Sequence, residues 1–525
     1  MEVPLLVNDF LDRSAALYPD KIAIVDGERS FTYKEFQERA NRLSHALQSA
    51  GIGKGDRVCV LSPNSHFFLE SFYGVSQIGA VLVPLNYRLV SADHEYIIDH
   101  AGVKAILVDY DHVDAIEAIR GALGTVETWV IAQEESEARE GWIAWESWIE
   151  NMPVESVADP GLCETDLVSI NYTSGTTARP KGVMMSHRNC YVNAYNFIAH
   201  LKVSHDDVEL WTLPMFHCNG WGGVYALTGL GATHVVLRAV DGKRIFELIA
   251  AHGVTFACMA PTVLNAILQY PDRDQHQIET RPRFVVAGAP PPAAFIERLE
   301  KELGWGFIQI YGLTETSPIL TTTPVDAHTA QDDYQRRSRA GIPVMGVTLQ
   351  IFDDNGMPVP QDDVTIGEVC ARSNVIFGGY WEQPEATAEA MRDGWFRSGD
   401  LATWDCTGSI NIVDRKKDVI ISGGENISSP EIEAILYQHP SVLECAVIGV
   451  PHSQWGETPK ALIVLREAGE VTPEKIVEYC RENLAHFKCP TSVEFLENLP
   501  RTATGKLQKF RLREKYWQGQ GKRVN

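Results

Sequence analysis

Basic residues are the scarce class in this 525-residue chain: 46 Lys and Arg face 69 Asp and Glu, a formal charge of −23. That balance excludes a general nucleic-acid binder, which needs a basic face. It does not exclude an anionic ligand held by local cations and backbone N–H groups. Long apolar runs are missing too. No 18-residue stretch escapes Gly, Pro or polar interruption, so no integral membrane segment is expected. The ten cysteines form no C-x-x-C pair and sit mostly in apolar runs such as "TFACMAP", which argues for buried, reduced thiols over a zinc site or disulfide framework. "MEVPLLVNDFLDRSAALYP" has no basic leader, and "GKRVN" has neither a prenylation box nor a peroxisomal tripeptide. No signal peptide and a cytoplasmic location are therefore expected. What is present, 45% hydrophobic and 22% charged residues, is globular in kind and too long for one ordinary core.

Strand-like and helical runs alternate through the first two-thirds of the chain. "DRVCVLSP" and "AVLVPLN" read as strands, "TYKEFQERANRLSHALQSAG" and "HRNCYVNAYNFIAHL" as helices, the latter behind Ser186 as N-cap. Such alternation argues for α/β layers around parallel sheets. Residues 343–413 turn to strand-and-turn text, a small β-rich subdomain. After "DRKKD" a separate α+β unit begins, with "SSPEIEAILYQHP" helical behind Ser429 as N-cap and Pro430 at its first position. The expected division is 1–414 and 415–525: a large N-terminal domain of layered α/β subdomains with the β-rich piece, then a small, mobile α+β C-terminal domain.

Four polar clusters fall at the ends of strand signals, where α/β sites are usually built. They are "YTSGTTARPKG" (172–182), "YGLTETSP" (311–318), "GWFRSGDLA" (394–402) and "PRTATGKLQK" (500–509). The first lies between two strand runs, so it is not a Walker-type loop, which opens a helix. Taken singly, each has an ordinary reading: a polar loop, a turn acid at Glu315, a turn former at Asp400, a surface lysine at Lys506.

Together, in this order and spacing, the clusters resemble the adenylate-forming superfamily: acyl-CoA synthetases, peptide-synthetase adenylation domains and firefly-type luciferases. The likeness runs from "FTYKEFQERANRLSHAL" through "FRSGDLATWDCTGSINIVDRKKDVIISGGENISSPEIE" to the lysine loop. It implies ATP, Mg2+ and CoA as the small molecules handled. Thr173, Ser174, Gly175, Thr176 and Thr177 would close over the β- and γ-phosphates, with Lys181 adding charge. Thr176 and Glu315 would hold Mg2+, and Thr314 the α-phosphate. Tyr311 would stack on adenine beside Gly288, Ala289 and Pro290, while Asp400 would take the ribose with help from Arg415. Lys506 would bridge carboxylate and α-phosphate. The small domain would turn about Lys417 between half-reactions, bringing Gly423 and Gly424 to the pantetheine. Lys506 and Arg415 are both assigned to that small domain. His217 and Trp221 would wall the acyl pocket, and His217 also reads as a hydrogen-bonded core histidine. One departure is Ala178, where the family usually has glycine.

The resemblance implies that a carboxylate is converted to acyl-AMP with release of pyrophosphate, then passed to CoA. A carrier-protein loader is a rival reading, but "MFHCNG" lacks the Asp that amino-acid activators place there. A light-emitting relative is another, against which the intact "GGEN" and Lys506 weigh. The presumed pocket wall (Trp221, Tyr225, Val286, Ala287, Gly288, Ile310) carries no cation, which favours a monocarboxylic acid. Medium- to long-chain fatty acids are the first choice, with aryl or short thioether acids as alternatives. No nucleic-acid partner is expected, and a homodimer is compatible with the sequence.

Overall fold

The computed structural model describes residues 2–132, 139–173, 179–288, 291–323, 332–422, 425–452, 454–467, 469, 471–501 and 507–517. Runs rich in Val, Leu and Ile, such as Arg57–Leu61, Val81–Leu85 and Val103–Asp109, form the parallel centre of a seven-stranded sheet. Their near-continuous apolar character suits strands covered on both faces. Leu167–Thr173 joins the sheet beside Val81–Leu85, and Lys181–Ser186 closes its edge antiparallel. A second, nine-stranded sheet has a parallel core including Val208–Trp211, Phe256–Met259, Arg283–Val286 and Gly306–Gly312, with antiparallel strands towards both edges.

One apolar cluster draws on both sheets (Val58 and Val60 from one, Trp211 and Phe256 from the other) and on the helices Tyr33–Ser49, His66–Ser76, His187–Leu201 and Gly223–Leu230. The sheets are thus layers of one large body. The helix Tyr33–Ser49 starts in a capping box between Thr32 and Glu35, and His187–Leu201 starts in one between Ser186 and Asn189. Of the ten cysteines eight are buried, with Cys163 and Cys406 exposed. Among the described residues no helix is long and apolar enough to cross a membrane.

The β-rich piece is a five-stranded antiparallel sheet that includes Gly367–Arg372, Trp395–Trp404 and Ile410–Arg415. The small C-terminal unit has its own five-stranded sheet, built on the long hairpin Val442–His452 and Gly456–Leu465, and its own apolar cluster. Two expectations change here. Arg415 is the last residue of a strand paired with Trp395–Trp404, so it belongs to the large body and not to the small unit. The helix Ser429–Leu436 is capped by Ser428, whose side chain accepts from Glu431 N–H, and not by Ser429. The Ser429 hydroxyl is used elsewhere: it donates to Asp414, and the half-buried Lys509 ammonium meets both Ser429 Oγ and Glu433 Oε1. Arg513 pairs with Asp418. The last helix of the small unit is thereby tied to residues 414–418.

Candidate active site

Strand Gly306–Gly312 ends in a short turn, Thr314–Thr316. Near the strand's end the Tyr311 hydroxyl donates to Asp400 Oδ2 at 2.7 Å. Asp400 lies directly across the ladder from Arg415, whose Nε donates to Asp400 Oδ1 at 2.7 Å. The Asp400 side chain is 5% exposed and that of Arg415 42%. The neighbouring Asp400 raises the Arg415 pKa, while burial and then Asp400 push the Tyr311 phenol well above its ordinary range. The phenol therefore stays a donor. A carboxylate has about four lone-pair sites, so two donors leave capacity for the paired hydroxyls of a sugar.

The turn delivers Glu315 to a second aromatic. Tyr380 donates its hydroxyl to Glu315 Oε1 at 2.8 Å, and the Lys181 ammonium sits 4.7 Å from the Tyr380 ring centroid. Residues 377–381 run beside the strand Lys181–Ser186, with Trp381 N–H on Gly182 O at 2.7 Å and Phe377 N–H on Glu315 O at 2.9 Å. One segment thus joins the acid of the turn to the cation of the hairpin. Thr173 and Lys181 face each other as the last pair before the hairpin's connection.

A cavity of about 30 Å³ opens beside Thr314. His217, Cys218 and Trp221 supply part of its wall, and Ala287, Gly288, Ile310 and Thr314 another part. Among its described lining residues none is Asp, Glu, Lys or Arg. Tyr225 and Val286 are fully buried in the core and do not line it, contrary to expectation. Tyr225 packs edge-on to Phe72 and Tyr73, ring centroids 5.9 and 6.0 Å away.

These walls have counterparts. The AMP-binding enzyme family matches residues 11–381, and the AMP-binding enzyme C-terminal domain matches residues 431–506. The chain is an AMP-binding enzyme. Among its relatives, 4-hydroxybutyrate–CoA ligase 2 of Metallosphaera sedula is 37% identical, with 97% of this chain and 94% of that protein covered. The long-chain-fatty-acid–CoA ligase of Thermus thermophilus is 39% identical, covering 98% and 96%. The solved structure of the anthranilate CoA ligase AuaEII with anthranoyl-AMP superposes with a TM-score of 0.91 at 29% identity, covering 98% of both chains. This AMP-binding enzyme is accordingly an acyl-CoA ligase of the adenylate-forming superfamily, and AMP-binding CoA ligases use ATP, Mg2+ and CoA.

The AMP-binding enzyme's described residues fit those groups. Asp400 offers acceptors to a ribose, and Glu315 offers the hard oxygen donor that Mg2+ prefers. Of the expected site residues, the structure links Tyr311, Asp400 and Arg415 in one set of contacts and, through Tyr380, Glu315 and Lys181 in another. Thr173 is paired to Lys181, and Thr314 lies in the turn. Asp400 lies in the middle of strand Trp395–Trp404 and not at a strand end, contrary to expectation. The structure sets His217 and Gly288 in the cavity wall. Ser174, Gly175, Thr176, Thr177, Ala289, Pro290, Gly423, Gly424 and Lys506 lie outside the described residues. Tyr380 escapes a reading of the sequence. It follows two glycines in "IFGGYW", and nothing local to it signals a partner 65 residues earlier.

Proposed function

We propose that this ligase activates a compact monocarboxylic acid with an uncharged tail. The acid's carboxylate oxygen attacks the α-phosphorus of ATP, the bond to the bridging oxygen breaks, and pyrophosphate leaves. The CoA thiolate then attacks the acyl carbon of the mixed anhydride, and AMP leaves with the electron pair of the broken C–O bond. Asp400 holds the ribose, with Tyr311 and Arg415 fixing the carboxylate. Glu315, oriented by Tyr380, and Thr176 hold Mg2+, which neutralises phosphate charge when bound. Lys181 adds positive charge at the β- and γ-phosphates, Thr314 bonds the α-phosphate, and Lys506 supplies the cation where the two anions meet. His217 and Trp221 wall the acyl subsite. The division into two units falls directly after Arg415, with Lys417 as the hinge and Gly423–Gly424 admitting the pantetheine. A cytoplasmic setting goes with this reading, supported by the eight buried free cysteines.

The observation that carries the substrate class is the cavity. At about 30 Å³, uncharged along its described lining and walled by a buried Trp221, it is narrow. A short, branched or aryl acid demands less displacement of that wall than the medium- or long-chain acid that the sequence favours. Relatives named for 4-hydroxybutyrate and anthranilate bracket the compact class, and the one named for long-chain fatty acids marks its rival.

Two measurements test the reading. A panel from acetate to palmitate, with benzoate, cinnamate and succinate, should give its highest kcat/KM on a compact monocarboxylate. Palmitate as best substrate would overturn the size class, and succinate the charge class. Lys506→Ala should lower pyrophosphate release by roughly 10²- to 10³-fold, yet leave thioester formation from pre-made acyl-adenylate nearly normal. Equal loss of both steps counts against the assigned role.

A further inference from the structure

Residues 218–222 form a left-handed turn: φ is +50° at Cys218, +50° at Asn219, +55° at Gly220, +56° at Trp221 and +82° at Gly222. Side-chain-bearing residues visit this region singly, because Cβ crowds the following carbonyl. Three of these five carry a side chain, so the turn persists only where its surroundings impose it. Two of the three, Cys218 and Trp221, line the acyl cavity.

What imposes the turn is a ring of neutral hydrogen bonds. The Ser169 hydroxyl donates to Asn171 Oδ1 at 2.8 Å, Asn171 Nδ2 donates to Asn219 Oδ1 at 3.1 Å, and Asn219 Nδ2 donates back to Ser169 Oγ at 2.8 Å. All three side chains are buried. Asn219 is the ring's only member on the turn; Ser169 and Asn171 belong to strand Leu167–Thr173. A second buried amide, Asn193, donates to Trp221 O at 3.1 Å and accepts Ile319 N–H at 3.2 Å. The fit is close on both sides. A Cβ on Gly220 would lie 2.4 Å from the Trp211 ring, and one on Gly222 would lie 2.2 Å from Asn193 Nδ2. The turn can move away neither from the strand behind it nor from the helix beside it without unpairing a buried amide.

We infer that Asn219 is a specificity-determining positioning residue: through the Ser169–Asn171–Asn219 ring it holds the left-handed turn, and so fixes where Trp221 ends the acyl cavity. This rests on the acid-activating reading above and sharpens it, since the limit on tail length then comes from an amide outside the cavity lining. The ring also ties that limit to the strand whose last residue, Thr173, opens the phosphate-loop hairpin.

The test compares wild type with Asn219→Gly and Ser169→Ala. Glycine adopts the left-handed region without strain, so Asn219→Gly deletes the anchor while easing the backbone. Ser169→Ala breaks the same ring from the strand side and serves if the glycine variant fails to fold. For each protein, kcat/KM is measured for butyrate and octanoate by pyrophosphate release, beside the KM for ATP and the Tm. The octanoate-to-butyrate ratio should rise about tenfold or more in both variants, the scale on which a pocket discriminates by methylenes, with the KM for ATP changed by less than about twofold. Asn219→Asp, whose carboxyl in this sealed neutral site is protonated and so keeps both an acceptor for Asn171 and an O–H donor to Ser169, should restore most of the wild-type ratio. An unchanged ratio in both variants, however far all rates or the Tm fall, would leave the ring merely structural and overturn the inference. Wild type preferring octanoate would refute the compact-acid reading and leave the ratio test standing. No acid-dependent pyrophosphate from wild type would refute both.

Discussion

Asp400 is held by a phenol and a guanidinium, Asn219 by a hydroxyl and a carboxamide. The first anchor is ionic, and its arginine half reaches solvent. The second is neutral and sealed. Near Glu315 the pattern of the first continues, with a carboxylate, a phenol and an ammonium in sequence. Elsewhere in the core of the large body burial governs even an acid. Glu209, on the strand that carries Trp211, is fully buried, and burial pushes its carboxyl well above the usual carboxylate range. On the proposed assignment, the nucleotide wall would recognise by charge that water can partly screen. The acyl wall would recognise by shape, and each of its polar atoms must find a partner or cost stability.

The sharpest way to break this contrast is Asp400→Asn, which keeps the shape and removes the charge. Loss of charge-assisted hydrogen bonds worth about 1.5–3 kcal/mol should raise the KM for ATP about 10- to 100-fold. The KM for the acid should stay within about twofold. A matching rise in both would mean that the two walls are not separate devices. Tyr380→Phe is a smaller cut. It deletes one hydrogen bond to Glu315 and leaves the ring under Lys181, so titration of Mg·ATP should show about fivefold weaker binding, equivalent to about 1 kcal/mol. Unchanged binding would remove Tyr380 from the site.

The smallest expected effect concerns Glu209→Gln. Below the unfolded carboxyl's pKa, near 4.3, both states are protonated and nothing is lost. As pH rises past it, the unfolded chain releases a proton that the folded chain retains, so stability declines until the raised folded pKa is reached. Gln cannot titrate. The Tm of Glu209→Gln relative to wild type should therefore climb between pH 5 and pH 8, by about 1–3 °C on the scale of one lost kcal/mol in a large domain. A difference flat across that range would mean that Glu209 is ionised in the fold.

Which wall was legible follows from how each is made. Most residues of the charged wall stand at or just beyond strand ends, with Asp400 in mid-strand, and charged or hydroxylated residues between apolar runs announce themselves. The hairpin around 173–181 was readable for the same reason, because both flanking runs are strand-like. The neutral ring was not. Ser169 and Asn171 alternate with the apolar Val168 and Ile170 inside a strand, and Asn219 looks like one turn former among glycines until its φ is known. Arg415 was misplaced because its strand membership is a non-local pairing with Asp400. Ser428 and Ser429 both precede Pro430, and only their contacts in space distinguish them: Ser428 accepts Glu431 N–H, while Ser429 bonds Asp414.

The position of Arg415 has one more consequence. It is the final residue of its strand and the cross-ladder partner of Asp400, so the ion pair closes a ladder that lies wholly within the large body. If Lys417 is the hinge, as proposed, a swing of the small unit would leave the Asp400–Arg415 pair in place and unmake the Ser429–Asp414 bond beside it. On that proposal the sugar end of the mixed anhydride would keep its grip through the whole turnover, while the machinery around the phosphorus and the acyl carbon is exchanged. What this placement secures is custody of a hydrolytically fragile intermediate between its making and its use.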